Sequence, residues 1–296
     1  MVIEDVISEA GIPAGRVLTS ELLTGGLSHQ VILIGVDERR YVLRILDPAV
    51  SRVGLGIPPA QELENTVLAS GIGPTVYFAR DGLMLLEYID GRTLTHDDVR
   101  DMAVIPRLAE ACRELHAGPA FVNEFSIVAK AAELLDLCRR HALEIPSGYP
   151  EAMAVLRRIA DTLPPVPHKP CHNDLLPANF MDDGRIRIID YQLSGMNDPA
   201  FELGDIAAEA DYDLPRIELL ARSYYGSAFS EALLARVRLC VLASNVTWTL
   251  WFSVHHGLLY GDSFDYAAEA AAKWARAERD LSHPELGSLL QTPRKV

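Results

Sequence analysis

Apolar residues along this chain recur every second position up to about Ile89 and at helical spacing after it. Residues 16–24 read as a strand running into Thr24-Gly25-Gly26-Leu27-Ser28-His29. Residues 31–36 and 41–46 form a β-hairpin around the polar turn Asp37-Glu38-Arg39-Arg40. Pro58 and Pro59 precede a helix over residues 61–70, since proline suits a first helical turn whose amides need no partner; Gly71-Ile72-Gly73-Pro74 stops it. Two more strands, residues 75–79 and 83–88, are joined by Arg80-Asp81-Gly82. Helical spacing then covers residues 101–116, 127–141, 151–162, 202–212, 215–225, 231–254 and 265–280, and the tail after Gly287 reads as frayed. The pattern predicts an α+β, bilobal chain. An antiparallel β-sheet lobe with one helix spans residues 1–89, a mostly helical lobe spans residues 90–296, and a cleft lies between them.

Composition narrows the class. With 296 residues, 49% of them hydrophobic, the chain is globular and long enough to bury a substantial core. Cys112, Cys138, Cys171 and Cys240 are scattered, which argues against a disulfide framework or a zinc site and fits a reducing, cytoplasmic compartment. The start, Met1-Val2-Ile3-Glu4-Asp5, has no basic leader, and the apolar stretch over residues 239–254 falls short of the ~20 residues a membrane span needs. A net charge of −14 makes nucleic acid or an anionic membrane an unfavourable partner and is compatible with a small cationic substrate.

The chemistry is concentrated in Cys171-His172-Asn173-Asp174-Leu175-Leu176-Pro177-Ala178-Asn179, followed by Ile186-Arg187-Ile188-Ile189-Asp190. An Asp five residues before an Asn, then a second Asp after a β-branched run, is the layout of a phosphoryl-transfer loop. Such a reaction needs a carboxylate to orient and deprotonate a hydroxyl, and oxygen ligands to hold Mg²⁺ against the phosphates. Asp174 fits the first role, Asn179 and Asp190 the second. Each alone would also fit a turn, a cap or a strand end. His172 reads as a brace for the loop.

The nucleotide half is drawn more faintly. Gly25-Gly26-Leu27-Ser28 can fold over a phosphate with its amides exposed, or simply turn between two strands. Arg44, in an otherwise apolar strand, wants either a phosphate or a helix carboxylate, Glu62 or Glu64; otherwise it snorkels from an edge strand. Glu87-Tyr88-Ile89 at the lobe junction can offer backbone groups to an adenine.

These segments, together with Gly71-Ile72-Gly73-Pro74 and the run Ile189-Asp190-Tyr191-Gln192-Leu193-Ser194-Gly195-Met196-Asn197-Asp198-Pro199-Ala200-Phe201-Glu202-Leu203-Gly204-Asp205, resemble the choline/ethanolamine kinase branch of the aminoglycoside phosphotransferase-like kinases over residues 22–279. The resemblance implies a protein-kinase-like fold, ATP and Mg²⁺ as cofactors, Asp174 as catalytic base, and Asn179 and Asp190 as metal ligands. It also implies nucleotide contacts from Gly25, Gly26, Leu27, Ser28, His29, Arg44, Glu62, Glu87 and Ile89. Gln192 stands where many relatives carry Glu, and His29 where Asn is frequent.

For the acceptor, Trp248 and Trp251 lie three apart on a predicted helix and therefore share a face. The resemblance assigns them, with Tyr266 of Asp265-Tyr266-Ala267, to the walls of an ammonium pocket, adds Glu209 as a complementary carboxylate, and suggests Tyr212 as a further ring. Aromatic faces hold a quaternary ammonium, which has no N–H to donate, by about 0.5–2 kcal/mol each; the alternative is that both Trp are core packing. The expectation is a kinase, monomeric or homodimeric, acting on the hydroxyl of choline or of ethanolamine. A kinase acting on another acceptor, such as an aminoglycoside, a sugar or an amino alcohol, and a catalytically dead nucleotide binder are the competing readings.

Overall fold

The computed structural model describes residues 3–12, 17–23, 28–80, 82–259 and 264–292. Gly25, Gly26 and Leu27 of the expected phosphate loop lie outside the described residues. In chain order the elements begin with α1 (Ile3–Glu9), β1 (Val17–Leu23), β2 (Gln30–Val36), β3 (Arg39–Ile45), α2 (Pro48–Arg52), α3 (Pro59–Leu68), β4 (Val76–Arg80) and β5 (Leu83–Glu87). The five strands form one antiparallel sheet in the order β1-β2-β3-β5-β4. The β2–β3 turn is shorter than the sequence suggests, because Arg39 and Arg40 continue the ladder opposite Val36 and Gly35. Two short helices, α1 and α2, accompany α3 in this part of the chain, where the pattern indicated only one; at 7 and 5 residues they are too short to print a helical period.

Alternation along the strands sorts the two faces of the sheet. Tyr41 and Leu43 of β3, with Leu83 and Leu85 of β5, pack on Val6 and Ile7 of α1. Val42, Arg44, Met84 and Leu86 face the other way and line a cavity. Arg44 is therefore on an interior strand, between β2 and β5, and not on a sheet edge.

Beyond Glu87 the chain forms β6 (Arg92–Thr93), α4 (His96–Arg100), α5 (Ile105–His116), α6 (Ile127–Arg140), α7 (Tyr149–Thr162), β7 (Lys169–Cys171), β8 (Phe180–Asp182), β9 (Ile186–Ile188) and β10 (Gly195–Asn197). It ends in α8 (Pro199–Glu209), α9 (Leu214–Tyr225), α10 (Glu231–Leu258), α11 (Tyr266–Leu281) and α12 (Leu286–Leu289). Strand β8 pairs with β6 and β9, and β7 with β10, so two small sheets flank the segment that carries Asp174. Side-chain caps set the long helices: Asp198 accepts from Ala200 N–H, Ser230 from Leu233 N–H and Asp265 from Ala268 N–H. The expected frayed tail is shorter than read, since α12 adds a turn and Leu290 is buried.

Helix α10 packs against α6, α8 and α11 and is the axis of the main core. It runs to Leu258, past the end of the apolar stretch, and by length and composition could cross a membrane; most of it is buried inside the protein. Its polar residues do not interrupt it, because Thr249 Oγ1 donates to the Asn245 carbonyl (2.8 Å) and Ser253 Oγ to the Thr249 carbonyl (3.2 Å). All four cysteines are free and buried.

Helices α8 and α10 cross at Gly204, where a Cβ would lie 2.5 Å from Cys240 Cβ and 2.8 Å from the Cys240 backbone carbon. Gly204→Ala must therefore push the helices apart. It should cost about 1–3 kcal/mol, read as a lowered urea midpoint with an unchanged m-value.

Candidate active site

Asp174 follows β7 on a loop whose backbone is held from α8. His172 N–H donates to Glu202 Oε1 (2.7 Å), Asn173 N–H to Glu202 Oε2 (2.8 Å), and Leu175 N–H to Asp205 Oδ2 (2.8 Å). The peptide groups on both sides of Asp174 are thus fixed by two carboxylates one helical turn apart. Asn173 adopts a left-handed φ of 66° and is tied down by its side chain, donating to the Cys171 and Leu193 carbonyls and accepting from Asn197 Nδ2. Burial alone would push the Glu202 carboxyl up, but His116 and the His172 amide hold it below the usual range. His116, Cys171 and Glu202 come within 4.8 Å of one another. Both Glu202 oxygens are engaged by amides and His116 Nδ1 meets the Tyr224 hydroxyl at 2.6 Å, so the trio is a hydrogen-bonded support for the loop.

Asn179 closes the single 3₁₀ turn that Pro177 begins, and its Nδ2 donates to the Asp174 carbonyl (2.7 Å). Ile189 N–H reaches the Asn179 carbonyl (3.0 Å), which brings the end of the β9 segment, and with it Asp190, alongside. His172 is buried and neutral in character, its pKa lowered by burial; the carbonyl of Ile189 can only accept, so Nε2 donates to it at 2.8 Å. The His172 ring therefore braces the approach to Asp190, whose own φ is 71°.

Arg44 reaches Asp190 from the sheet side. Its Nη2 donates to Asp190 Oδ1 and its Nε to Glu62 Oε1 (3.0 Å), so the partner on α3 is Glu62 and not Glu64. Burial would raise the Asp190 carboxyl, but the Arg44 guanidinium holds it below its ordinary value. His29 Nδ1 accepts from the Asp47 amide (3.0 Å), which leaves a proton on Nε2, 3.5 Å from Glu62 Oε2 and without a hydrogen-bond partner among the described residues. Ser28 Oγ is likewise buried without a partner among the described residues. The Glu87 carboxylate is engaged by Thr75 and by Arg187 Nη2 (3.1 Å), and the Ile89 carbonyl accepts from Gly91 N–H. Arg187, on β9, also donates to the Ile72 and Gly73 carbonyls, locking the strand that leads to Asp190 onto the Gly71–Pro74 turn.

One cavity of about 960 Å³ gathers these groups. His29, Arg44, Glu62, Glu87 and Ile89 line one part; Asp174, Asn179 and Asp190 lie on its wall; Glu209, Trp248 and Trp251 line another part with Phe252, Phe264 and Glu269. Both Trp rings are held by their indole N–H groups: Trp248 donates to Asp205 Oδ1 (2.7 Å) and Trp251 to the Leu55 carbonyl (3.0 Å). The Gln192 side-chain oxygen is buried beside Asp190 with no partner among the described residues.

Two expected pocket residues lie elsewhere. The chain leaves α8 at Ala210-Asp211, with Asp211 at φ 46°, and this turn sends Tyr212 into the core, where its hydroxyl donates to the Val99 carbonyl. Tyr266 is not among the lining residues either. It stacks on His255 (4.0 Å, 10°) and sits behind Phe252 and Phe264, supporting the rings that do face the cavity. Conversely, the sequence reading passed over Glu202, Asp205, Arg187 and Lys273. The available signal was charge inside apolar runs: Glu202 and Asp205, three apart among the apolar residues of α8, and a lone Lys in the alanine-rich α11.

Carboxylates crowd around Asp174. Burial, then the charges of Asp205, Glu209 and Asp190, push the Asp174 carboxyl well above its ordinary value, with Lys273 acting against them. Burial and Glu209 raise Asp205 as well.

The model of the phosphotransferase enzyme family matches residues 19–239. Protein LicA of Haemophilus influenzae is 26% identical over 266 residues, 84% of this chain and 78% of that protein. Ethanolamine kinase 1 of Mus musculus is 25% identical over 279 residues, 80% of this chain and 77% of its own length. Among solved structures, a choline/ethanolamine kinase family protein from Mesorhizobium loti superposes with a TM-score of 0.82 at 29% identity, covering 100% of both chains.

Because the folded-state pKa of Asp174 lies above its unfolded value, the folded protein holds that proton longer, and stability declines as pH rises through the interval. Asp174→Asn removes the charge at constant shape. The variant should have a higher denaturation midpoint than the wild type at about pH 8, with the difference vanishing near pH 3.5, below the unfolded pKa of about 3.9.

Proposed function

We propose, given that the chain belongs to the phosphotransferase enzyme family, that it transfers the terminal phosphoryl group of ATP to the hydroxyl of choline, with ethanolamine as a poorer acceptor. One observation carries this reading: a single cavity joins Asp174, Asn179, Asp190 and Arg44 to a wall of Trp248, Trp251 and Phe252 beside Glu209. Residues 1–89 act as the nucleotide-binding lobe and residues 90–296 as the catalytic and acceptor-binding lobe of a cytoplasmic enzyme.

In this reading the nucleotide lies against β3 and the Glu87–Ile89 junction, with His29 Nε2–H, Ser28 and Arg44 toward its phosphates. Asn179 and Asp190 fit Mg²⁺: both offer hard oxygen ligands, Asn179 has its amide nitrogen engaged and its oxygen left for a cation, and Asp190 already sits against positive charge. The metal, when bound, supplies charge stabilisation on the transferring phosphoryl group. Asp174 orients the acceptor hydroxyl and takes its proton. Its raised pKa makes it a better base than an ordinary carboxylate, and the arrival of cations in the site favours its ionised form. Trp248 and Trp251 present fixed aromatic faces to a trimethylammonium group, and that rigidity limits the entropy cost of binding.

ADP release from Mg-ATP should be measured with choline and with ethanolamine. Asp174→Ala is expected to lower kcat by about 10²–10⁴-fold. Trp251→Ala should raise the KM for choline roughly 5–30-fold, the equivalent of about 1–2 kcal/mol of lost cation–π attraction, with a smaller effect on kcat. A folded, ATP-binding protein that releases no ADP with either alcohol would overturn the substrate assignment.

A further inference from the structure

We infer that Lys273, buried behind the acceptor pocket, makes the pocket selective for a methylated over a primary ammonium by occupying Glu209. This rests on the reading of the reaction given above and adds to it a residue that does not touch the acceptor.

The two acceptor alcohols differ in the hydrogen bonds their cationic groups require. A primary ammonium brings three N–H donors into the pocket, and each one buried without a partner weakens binding. A trimethylammonium group brings none and is satisfied by aromatic faces. Glu209 lines the cavity, but its Oε1 accepts from Lys273 Nζ at 2.6 Å, and the Lys273 side chain is fully buried. Glu209 is the ion-pair partner found for this ammonium among the described residues, so drawing the carboxylate toward a ligand would strand a buried charge. Asp205, next along α8, is committed as well: it accepts from Ser244 Oγ (2.8 Å), Trp248 Nε1 (2.7 Å) and Leu175 N–H (2.8 Å). Asp174 is engaged by the reacting hydroxyl. Glu62, Glu87 and Asp190 belong to the nucleotide part of the lining, which leaves Glu269; its side chain is 33% exposed and faces Arg276 at 3.8 Å. The acceptor end therefore carries a cation-attracting field, while Glu209, anchored through Oε1, cannot turn both of its oxygens to an incoming ammonium without leaving Lys273. Such a combination favours a cation without N–H groups.

The experiment compares kcat/KM for choline and ethanolamine in the wild type, in Lys273→Met, and in the double variant Glu209→Gln/Lys273→Met, with thermal unfolding of each. Methionine approximates the unbranched stem of lysine, one atom shorter, and removes its charge. Freed from its partner, Glu209 can accept from a primary ammonium, so K273M should lower the choline-to-ethanolamine ratio by about tenfold, chiefly through a lower KM for ethanolamine. The double variant has no free carboxylate and should return to within about threefold of the wild-type ratio. An unmoved ratio in folded K273M overturns the inference, as does a double variant that stays shifted. Should K273M fail to fold, the double variant decides alone. Selective loss of ethanolamine turnover there would mean that Glu209 already serves the acceptor's ammonium. Loss of both activities in the folded double variant would place the pair in the chemistry itself; either result refutes the selectivity role. A wild type active on choline with an unmoved ratio sinks this inference only, whereas a wild type inactive on both alcohols sinks the reading of the reaction together with it.

Discussion

The site depends on the grip that α8 has on the backbone around Asp174. Glu202 takes the amides of His172 and Asn173, Asp205 takes the amide of Leu175, and the residue between them cannot shift without breaking charge-assisted hydrogen bonds in a dry interior. Those bonds also make a left-handed Asn173 tolerable. Helix α8 is in turn set by α10: the two cross with no space for a Cβ at Gly204, and Arg236 of α10 donates to the N-cap Asp198 at 2.6 Å. Order passes from the core helix to the buried acids, and from these to the loop that carries Asp174. Preorganisation of this kind is what phosphoryl transfer asks of a protein, since little covalent chemistry falls to its side chains.

The second constraint is electrostatic. Asp174, Asp190 and Glu209 line one cavity with Asp205 buried close behind, and two buried cations oppose them, Arg44 at Asp190 and Lys273 at Glu209. Each cation is itself sheltered from water, so neither pair relaxes by solvation. Arg44 keeps Asp190 ionised, while Asp174, with no ion-pair partner among the described residues, has a pKa raised well above its ordinary value by burial and then by the neighbouring carboxylates. The residue assigned the proton transfer is also one that the fold leaves under electrostatic strain.

Much of this was legible in the chain because it is local. Alternation gave the five strands, and it also determines that Arg44 shares a face with Val42 while Tyr41 and Leu43 turn the other way. The spacing of Asp174, Asn179 and Asp190 brought the candidate loop into view before any coordinates. Less was visible where a residue's neighbour is distant in sequence. Glu62 and Glu64 are equally acidic and both on α3, but only the helix's docking angle selects Glu62 for Arg44. The burial of Tyr212 was not visible, because one positive-φ residue, Asp211, redirects the chain after α8. Nor was the place of Tyr266, one layer of rings behind Phe252 and Phe264.

The sequence by itself determined the order of strands and helices, the face each presents and the residue types able to move a phosphoryl group, because periodicity and short-range spacing are properties of the chain alone. The tertiary structure decided which acids are pinned, paired or left free: Glu202 and Asp205 as anchors of the loop, Asp190 paired to Arg44, Glu209 to Lys273, and Asp174 without a cation of its own. Those choices turn on burial and on contacts between residues far apart in the chain, such as the 146 positions separating Arg44 from Asp190, and a carboxylate's chemistry is set by what surrounds it.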